Sequence, residues 1–484
     1  MDCRILSDDQ IARIHQASLE ILWRVGVMVP HEDALSRLAD AGATVDRAPG
    51  RARIPEHLVD RCLGRAGAGF TIYGRDTSRT AAFGVGRRNY NSIAGEAHWV
   101  DDPGQPRRPA RLSDVATAAR FCEALEHINV VGAMADPDNV PAAVRCVEVL
   151  AQQLRHTNKP VHFWLHDRAS ARYLVELLIA LRGSEGAAAA KPPCYAFVEP
   201  ISPLRYPFRG IDLLYETARL DLPVSVGPMA QMGLSAPCTI AGTLAQENAE
   251  ILAGICLVQL ISPGAPVCYG GICHAFDMRT TQMIFGGPEQ AVFGVALAQM
   301  GKHYGLPVYI NVGLTDSKRP DAQAGLEIAA TLMLGAAAGA DIFGHLGIAG
   351  VDQATSLDML VLQDEIIGYV ESVLRPVELS DEVLGLDVIE EVGPGGTFID
   401  TPHTVRHFRG ELWFPRLLDR EFYDAWLGAG ARSTEERCAE RKRAILATSD
   451  PPPLDHDIER SFDEILATAW RELVGCERAR VVAQ

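Results

Sequence analysis

Four short segments alternate apolar side chains with aromatic, imidazole or carboxylate ones. PVHFWLH carries His162, Trp164 and His166 in one register, and CYAFVE carries Tyr195, Phe197 and Glu199. PVYINV carries Tyr309 and Asn311, and ADIFGHL carries Asp341, Phe343 and His345. In an extended chain the intervening residues (Val161, Phe163, Leu165; Cys194, Ala196, Val198; Val308, Ile310, Val312) point to the opposite face, so each segment offers one apolar and one reactive face. Aromatic, imidazole and carboxylate side chains gathered on one face suggest a cup for a polar or cationic ligand. A carboxylate at a buried strand end needs a positive partner to offset its desolvation. The candidate catalytic residues are therefore Glu199, Asp316 in the loop GLTDSKRPD, and His345. Trp164, His166, Phe197, Tyr309, Asn311 and Phe343 are candidates for substrate binding. Each has a plainer reading: an inward histidine is often a hydrogen-bonded core residue, and a loop aspartate often forms a turn.

These segments fall within a longer alternation. NYNSIAG, NVVGAMA, PVHFWL, CYAFVEP, PVSVGPMA, PVCYGGI, PVYINVG and ADIFGHLG read as eight strands separated by helical stretches. The alternation implies parallel pairing, and eight strands close a barrel. Pro160, Pro193, Pro223, Pro266 and Pro307 precede strands, where a missing backbone donor is tolerated. Between strands, LSDVATAARFCEALEHI places Val115, Ala118, Ala119, Cys122 and Leu125 on one helical face behind Ser113 as the expected cap. The fold class predicted is α/β: a (β/α)8 TIM barrel over 90–379, an N-terminal helical and β extension over 1–89 lying outside the repeat, and a C-terminal extension over 380–484. SDDQ ahead of Ile11, Ile14, Ile21 and Leu22 is a capping-box start for the first helix. Barrel active sites lie at the strands' C-terminal ends, which favours His166, Glu199, Asn311 and His345. An open doubly wound sheet is the rival architecture, and no strand-linked GxGxxG supports its nucleotide version.

The net charge of -17, from 62 acidic and 45 basic residues, opposes nucleic-acid binding and would concentrate a cationic ligand. MDCRILSDDQIARIH lacks the basic-then-apolar order of a signal peptide, and there is no unbroken apolar run of membrane-spanning length, so a cytoplasmic protein is expected. The 11 cysteines include no CxxC pair, and Cys268, Cys273 and His274 match no compact zinc knuckle, so no metal site is expected. GVGRR and GPGG read as turns.

With these residues in hand, the chain resembles the trimethylamine methyltransferase (MttB) family of corrinoid-dependent amine methyltransferases. TIAGTLAQENAEILAGICLVQLISPGAPVCYGG, GLPVYINVGLTDSKRPDAQAGLE and GPGGTF with His403-Thr404 carry the resemblance, continued by ELWFP, LLDR, Trp426 and EERCAERK. The resemblance implies a barrel that passes a substrate methyl group to the cobalt(I) of a separate corrinoid protein. Members acting on trimethylamine carry pyrrolysine, whereas this chain has only standard residues, Ser317 and Lys318 among them. It thus looks like the pyrrolysine-free branch, which includes glycine betaine methyltransferases, with a quaternary amine as expected substrate. A quaternary ammonium departs as a neutral tertiary amine when its methyl is attacked, so no general acid is required. Trp164, Phe197, Tyr309 and Phe343 would form a cage, with Glu199 or Asp316 as counter-charge, and Arg279, His274 or His345 could hold a betaine carboxylate. The chain lacks DxHxxG, so the corrinoid (cobalamin) cofactor is expected on a cognate partner docking near the loops after Gly313 and Gly347. A homo-oligomer is expected as the usual state.

Three other functions compete. A metal-dependent TIM-barrel hydrolase would use His162, His166, Glu199 and His345. A non-catalytic quaternary-amine binder would need the same cage and no corrinoid partner. A trimethylamine-type amine methyltransferase is the third.

Overall fold

The structure is a computed structural model describing residues 3–475. Eight strands form one ring in chain order: β1 (Asn89–Ser92), β2 (Ile128–Gly132), β3 (Val161–His162), β4 (Ala196–Val198), β5 (Val224–Val226), β6 (Val267–Gly271), β7 (Val308–Ile310) and β8 (Ile342–Leu346). Every neighbouring pair from β4 round through β8 and β1 to β3 is parallel. A hydrogen bond from Val161 N–H to the Pro193 carbonyl, 2.9 Å, draws β3 and β4 together and closes the barrel. All eight segments read as strands from the sequence occupy this ring. The prolines ahead of them act as expected. Lacking an N–H, Pro160, Pro193, Pro223, Pro266 and Pro307 each offer a carbonyl that accepts from the adjacent strand at 2.8–2.9 Å.

The helices outside the ring are α1 (Leu112–Ala124), α2 (Ala142–His156), α3 (Arg168–Arg182), α4 (Phe208–Asp212), α5 (Ile240–Ile261), α6 (Pro288–His303), α7 (Ala322–Ala337) and α8 (Leu357–Leu374). On α1, Val115, Ala118, Ala119 and Cys122 are buried as predicted, and Leu125 is buried just past its end. Ser113 is not its cap: the cap position is two residues earlier, at Arg111, whose N–H donates to the Asp114 carboxylate at 2.8 Å. The α5 sequence IAGTLAQENAEILAGICLVQLI is the one described helix long and apolar enough to cross a membrane, but most of it is buried in the helix layer. Its polar row explains that burial. Glu247 accepts from the backbone of Ala230 and Ile272, Asn248 donates to Ser18 and Tyr304, and Glu250 accepts from Ser202 and Leu204. These bonds tie the loops after β4, β5 and β6 to one helix.

The N-terminal helix Asp8–Arg24 begins with the predicted capping box: Ser7 Oγ accepts from the Gln10 N–H at 3.2 Å, and Gln10 Oε1 from the Ser7 N–H at 2.8 Å. The region does not all lie outside the repeat, however. A hairpin, Phe70–Tyr73 with Thr80–Phe83, inserts Phe70, Ile72, Ala81 and Phe83 among Val130, Tyr195, Cys268 and Ile342 of the lumen. The hairpin supplies the apolar filling for one end, while the strands' C-terminal ends keep their polar side chains. At the C-terminal mouth, Ile348–Ala349, Ala354–Ser356, His98–Val100 and Arg108–Pro109 form a small sheet over β1 and β8.

The two parts of the C-terminal extension differ. Helix Thr434–Thr448 is anchored by Lys442, whose buried ammonium donates to Asp358 and Asp102, both at 2.8 Å. Four short helices between Asp381 and Gly428 bury no residue.

Candidate functional site

Trp164, Phe197, Tyr309 and His345 meet at the C-terminal mouth. Trp164 stands edge-on to Phe197 at 6.1 Å, Phe197 edge-on to Tyr309 at 5.3 Å, and His345 lies 6.1 Å from both Trp164 and Tyr309. Below them His162 stacks on Tyr195 at 4.7 Å. Trp164 is fixed by its indole N–H, which donates to the Gly95 carbonyl at 3.0 Å. A cleft of about 500 Å3 opens beside this wall, lined by Trp164, His166, Phe197, Glu199, Arg209 and Gln231 among others. The volume is within the range of small-molecule sites, and the position is the one barrels use.

Glu199 follows β4 and accepts no hydrogen bond from a described residue. Burial first, and the Asp352 charge second, push its carboxyl up to about 7. Although it lies deep among protein atoms, its side chain remains open to solvent through the cleft. Asp352, missed in the sequence, is the acid common to the mouth: its charge reaches Glu199, Glu96, Tyr309, His274 and His345. It sits in the turn joining Ile348–Ala349 to Ala354–Ser356, where Gly350, Val351 and Asp352 have φ of 65°, 62° and 56°. A β-branched residue in this left-handed region is strained, and such strain gathers at functional sites. Glu96, which follows β1, touches Asp352; burial and then that facing acid hold it well above the usual carboxylate range. Sequence alone offers one weak sign of this group, the glycine that permits the turn, Gly350.

Several polar atoms here are buried without a protein partner: both ring nitrogens of His162 and of His345, the Tyr309 hydroxyl, His274 Nδ1, Asn311 Oδ1 and Asp352 Oδ1. Burial lowers the histidines, His162 to about 3 and His274 to about 4, so the rings are neutral near pH 7. Asn311 and His274 are brought together, with Asn311 Nδ2 lying 3.1 Å from His274 Nε2. When the amide donates, the ring proton is on Nδ1.

Three predicted residues lie elsewhere. Phe343 is not part of the cage: it faces the helix layer, stacked on Tyr90 at 5.1 Å. The reason is a bulge. Phe343 pairs with Tyr90 and Leu346 with Ser92, an advance of three residues on β8 against two on β1, and His345 takes φ of 67°. The extra residue reverses parity, so Asp341 and Phe343 face outward while His345 turns inward. Arg279 stands on an exposed hairpin tip, ion-paired to Asp277 at 2.9 Å. Asp316 is half-buried but serves the backbone: it accepts from the Phe285 N–H at 2.7 Å, stitching the loop after β7 to the segment before α6. His166 lines the cleft, as predicted. The ligand set of the hydrolase reading is not assembled, since among the described residues no three His, Cys, Asp or Glu side chains are grouped to hold a metal ion.

Comparison with known proteins agrees with the barrel. A glycine betaine methyltransferase of Desulfitobacterium hafniense (strain Y51) is 31% identical over 472 residues, covering 97% of this chain and 98% of that one. Trimethylamine methyltransferase MttB of Desulfitobacterium hafniense (strain DSM 10664 / DCB-2) is 29% identical, covering 95% and 92%. Among solved structures, the Methanosarcina barkeri monomethylamine methyltransferase (MtmB) superposes with a TM-score of 0.51 at 11% identity, covering 96% of this chain and 88% of that one, which supports the fold. The profile described as Trimethylamine methyltransferase (MTTB) matches residues 1–473, and the chain belongs to that family.

Proposed function

We propose that the chain transfers a methyl group from a quaternary amine, glycine betaine or a similar compound, to the cobalt(I) of a cognate corrinoid protein. The observation that carries this reading is Glu199: a carboxylate without a hydrogen-bond partner, its one resolved charged neighbour another acid, facing the aromatic wall of Trp164 and Phe197. Such a group lacks a positive charge, and a quaternary ammonium supplies one that cannot be lost by deprotonation. The relative with the higher identity of the two compared above is named for glycine betaine, in line with a quaternary substrate.

Within this reading, Trp164 and Phe197 hold the ammonium by their faces, and Glu199 offsets its charge. His345 and Tyr309 close the wall without adding a cation, since burial keeps the ring neutral. A corrinoid carried by a partner supplies the nucleophile that takes the methyl group. This chain's task is to orient one methyl toward the mouth and to exclude water. Because the amine leaves neutral, no residue has to protonate it. The loops after Gly313 and Gly347 both stand at the mouth, where the partner would dock. The test is methylation of free cob(I)alamin, followed by absorbance, with a panel of quaternary and tertiary amines. Turnover confined to quaternary substrates supports the reading; binding without any transfer would reassign the chain as a binder.

A further inference from the structure

Two opposite charges line the cleft, and neither is neutralised by the protein. Glu199 follows β4, and Arg209 lies in α4. The acids near Arg209 are already engaged: Asp212 and Glu216 are paired with Arg168 at 3.3 and 3.1 Å, Glu216 also with Arg219 at 3.6 Å, and Arg209 enters no ion pair among the described residues. Glu199 and Arg209 do not pair with each other either, although both face one cleft. Apolar Trp164, Phe197 and Leu213 line the same space. Opposite charges that could approach across water would gain by pairing; held apart on the walls of one cleft, they suit a ligand with a charge at each end.

We propose that the cleft takes a zwitterion, its quaternary ammonium beside Glu199 and against the wall of Trp164 and Phe197 and its carboxylate on Arg209, which makes Arg209 the residue that selects carboxylated substrates. This rests on the quaternary-amine reading and narrows it. A guanidinium presents two parallel donors to a carboxylate, so it fixes direction as well as charge. The other donors considered do not suit: Arg279 is outside the cleft, and His274 is neutral and engaged by Asn311. The cleft volume of about 500 Å3 also leaves room for a carbon chain between the charged ends.

Calorimetric titration of the full chain, without any corrinoid, tests this apart from the chemistry. The ligands are tetramethylammonium, glycine betaine and a trimethylammonio acid with a longer carbon chain. The wild type is expected to prefer a carboxylated ligand over tetramethylammonium, Arg209→Gln to reduce that preference about ten-fold or more, and Arg209→Lys to keep part of it. Arg209 is exposed, and a thermal melt confirms that each variant is folded. An equal preference in the wild type and Arg209→Gln, or tetramethylammonium bound as tightly as the acids, overturns the proposal while leaving methyl transfer from quaternary amines intact. Failure of the wild type to bind any of the ligands overturns both.

Discussion

At the barrel mouth, polar atoms are buried without protein partners; along residues 376–431, apolar side chains stand exposed without cover. His162, His345 and Tyr309 exemplify the first, Ile399 and Phe422 the second, with Phe422 90% exposed. Both depart from the rule that a folded chain pairs its buried polar groups and hides its apolar ones. The scale differs. The mouth has a cleft sized for a small molecule and walls that are fixed by packing, as for Trp164 on Gly95. The short helices of the exposed segment bury no residue, and Leu417, between two of them, is its one apolar side chain that reaches the core, which leaves a surface of protein dimensions. Orphaned groups packed behind the wall of a small-molecule cleft point to a ligand, whereas the same imbalance spread over short helices carries no such chemistry.

The largest expected effect lies just beyond the exposed segment. If helix Thr434–Thr448 belongs to the core, Lys442→Met leaves Asp358 buried and unpaired and costs about 3–5 kcal/mol, read as a fall in the denaturation midpoint. A change below about 1 kcal/mol would place that helix with the loosely held part. Next is Glu199→Gln, expected to weaken transfer or binding of a quaternary amine by at least ~1.4 kcal/mol, about ten-fold. The pH dependence sharpens this. With its carboxyl at about 7, Glu199 gains charge as pH rises from about 6 to 8, so affinity for the cation should climb over that range and the climb should vanish in Glu199→Gln. The same raised value means that whatever stability Glu199 contributes by taking up a proton on folding is present below about 4.5 and lost as pH passes about 7.

Tyr309→Phe probes the mouth from the side of stability. Its hydroxyl is buried without a partner, so removal should leave stability unchanged or raise it by about 1 kcal/mol. A loss above 1 kcal/mol in thermal or chemical denaturation would show that the hydroxyl is satisfied in the resting protein. The smallest effect is at the exposed segment: Phe422→Ser should shift stability by no more than ~0.5 kcal/mol, and a larger loss would mean that this surface is covered in solution.

How far the site was legible follows from parity. On β4 and β7 the alternation runs unbroken, and Phe197 and Tyr309 face inward as read; Trp164 also faces the mouth, but it lies past the end of β3, where Leu165, read as outward, lines the cleft too. On β8 the bulge at His345 interrupts it, so Phe343 was misplaced, and His345 points inward only because of the extra residue. No local pattern announces a bulge among buried apolar residues. Asp352, Glu96 and Arg209 were missed because they lie in loops and a short helix, where position comes from tertiary packing and not from period. Asp316 and Arg279 show the converse error: charged loop residues near a motif, employed respectively in a backbone latch and a surface ion pair. The eight strands were legible because a proline or an apolar run marks most of them. The lumen hairpin Phe70–Phe83 was not, since its residues lie outside the repeat in sequence.

The most direct test of the central claim is the initial rate of methylation of free cob(I)alamin by the purified chain, with glycine betaine, tetramethylammonium and trimethylamine as donors. Methylation by a quaternary donor, diminished about ten-fold or more in Glu199→Gln and undetectable with trimethylamine, is the predicted result. Transfer from trimethylamine alone, or from none of the donors although the chain is folded, would contradict the account.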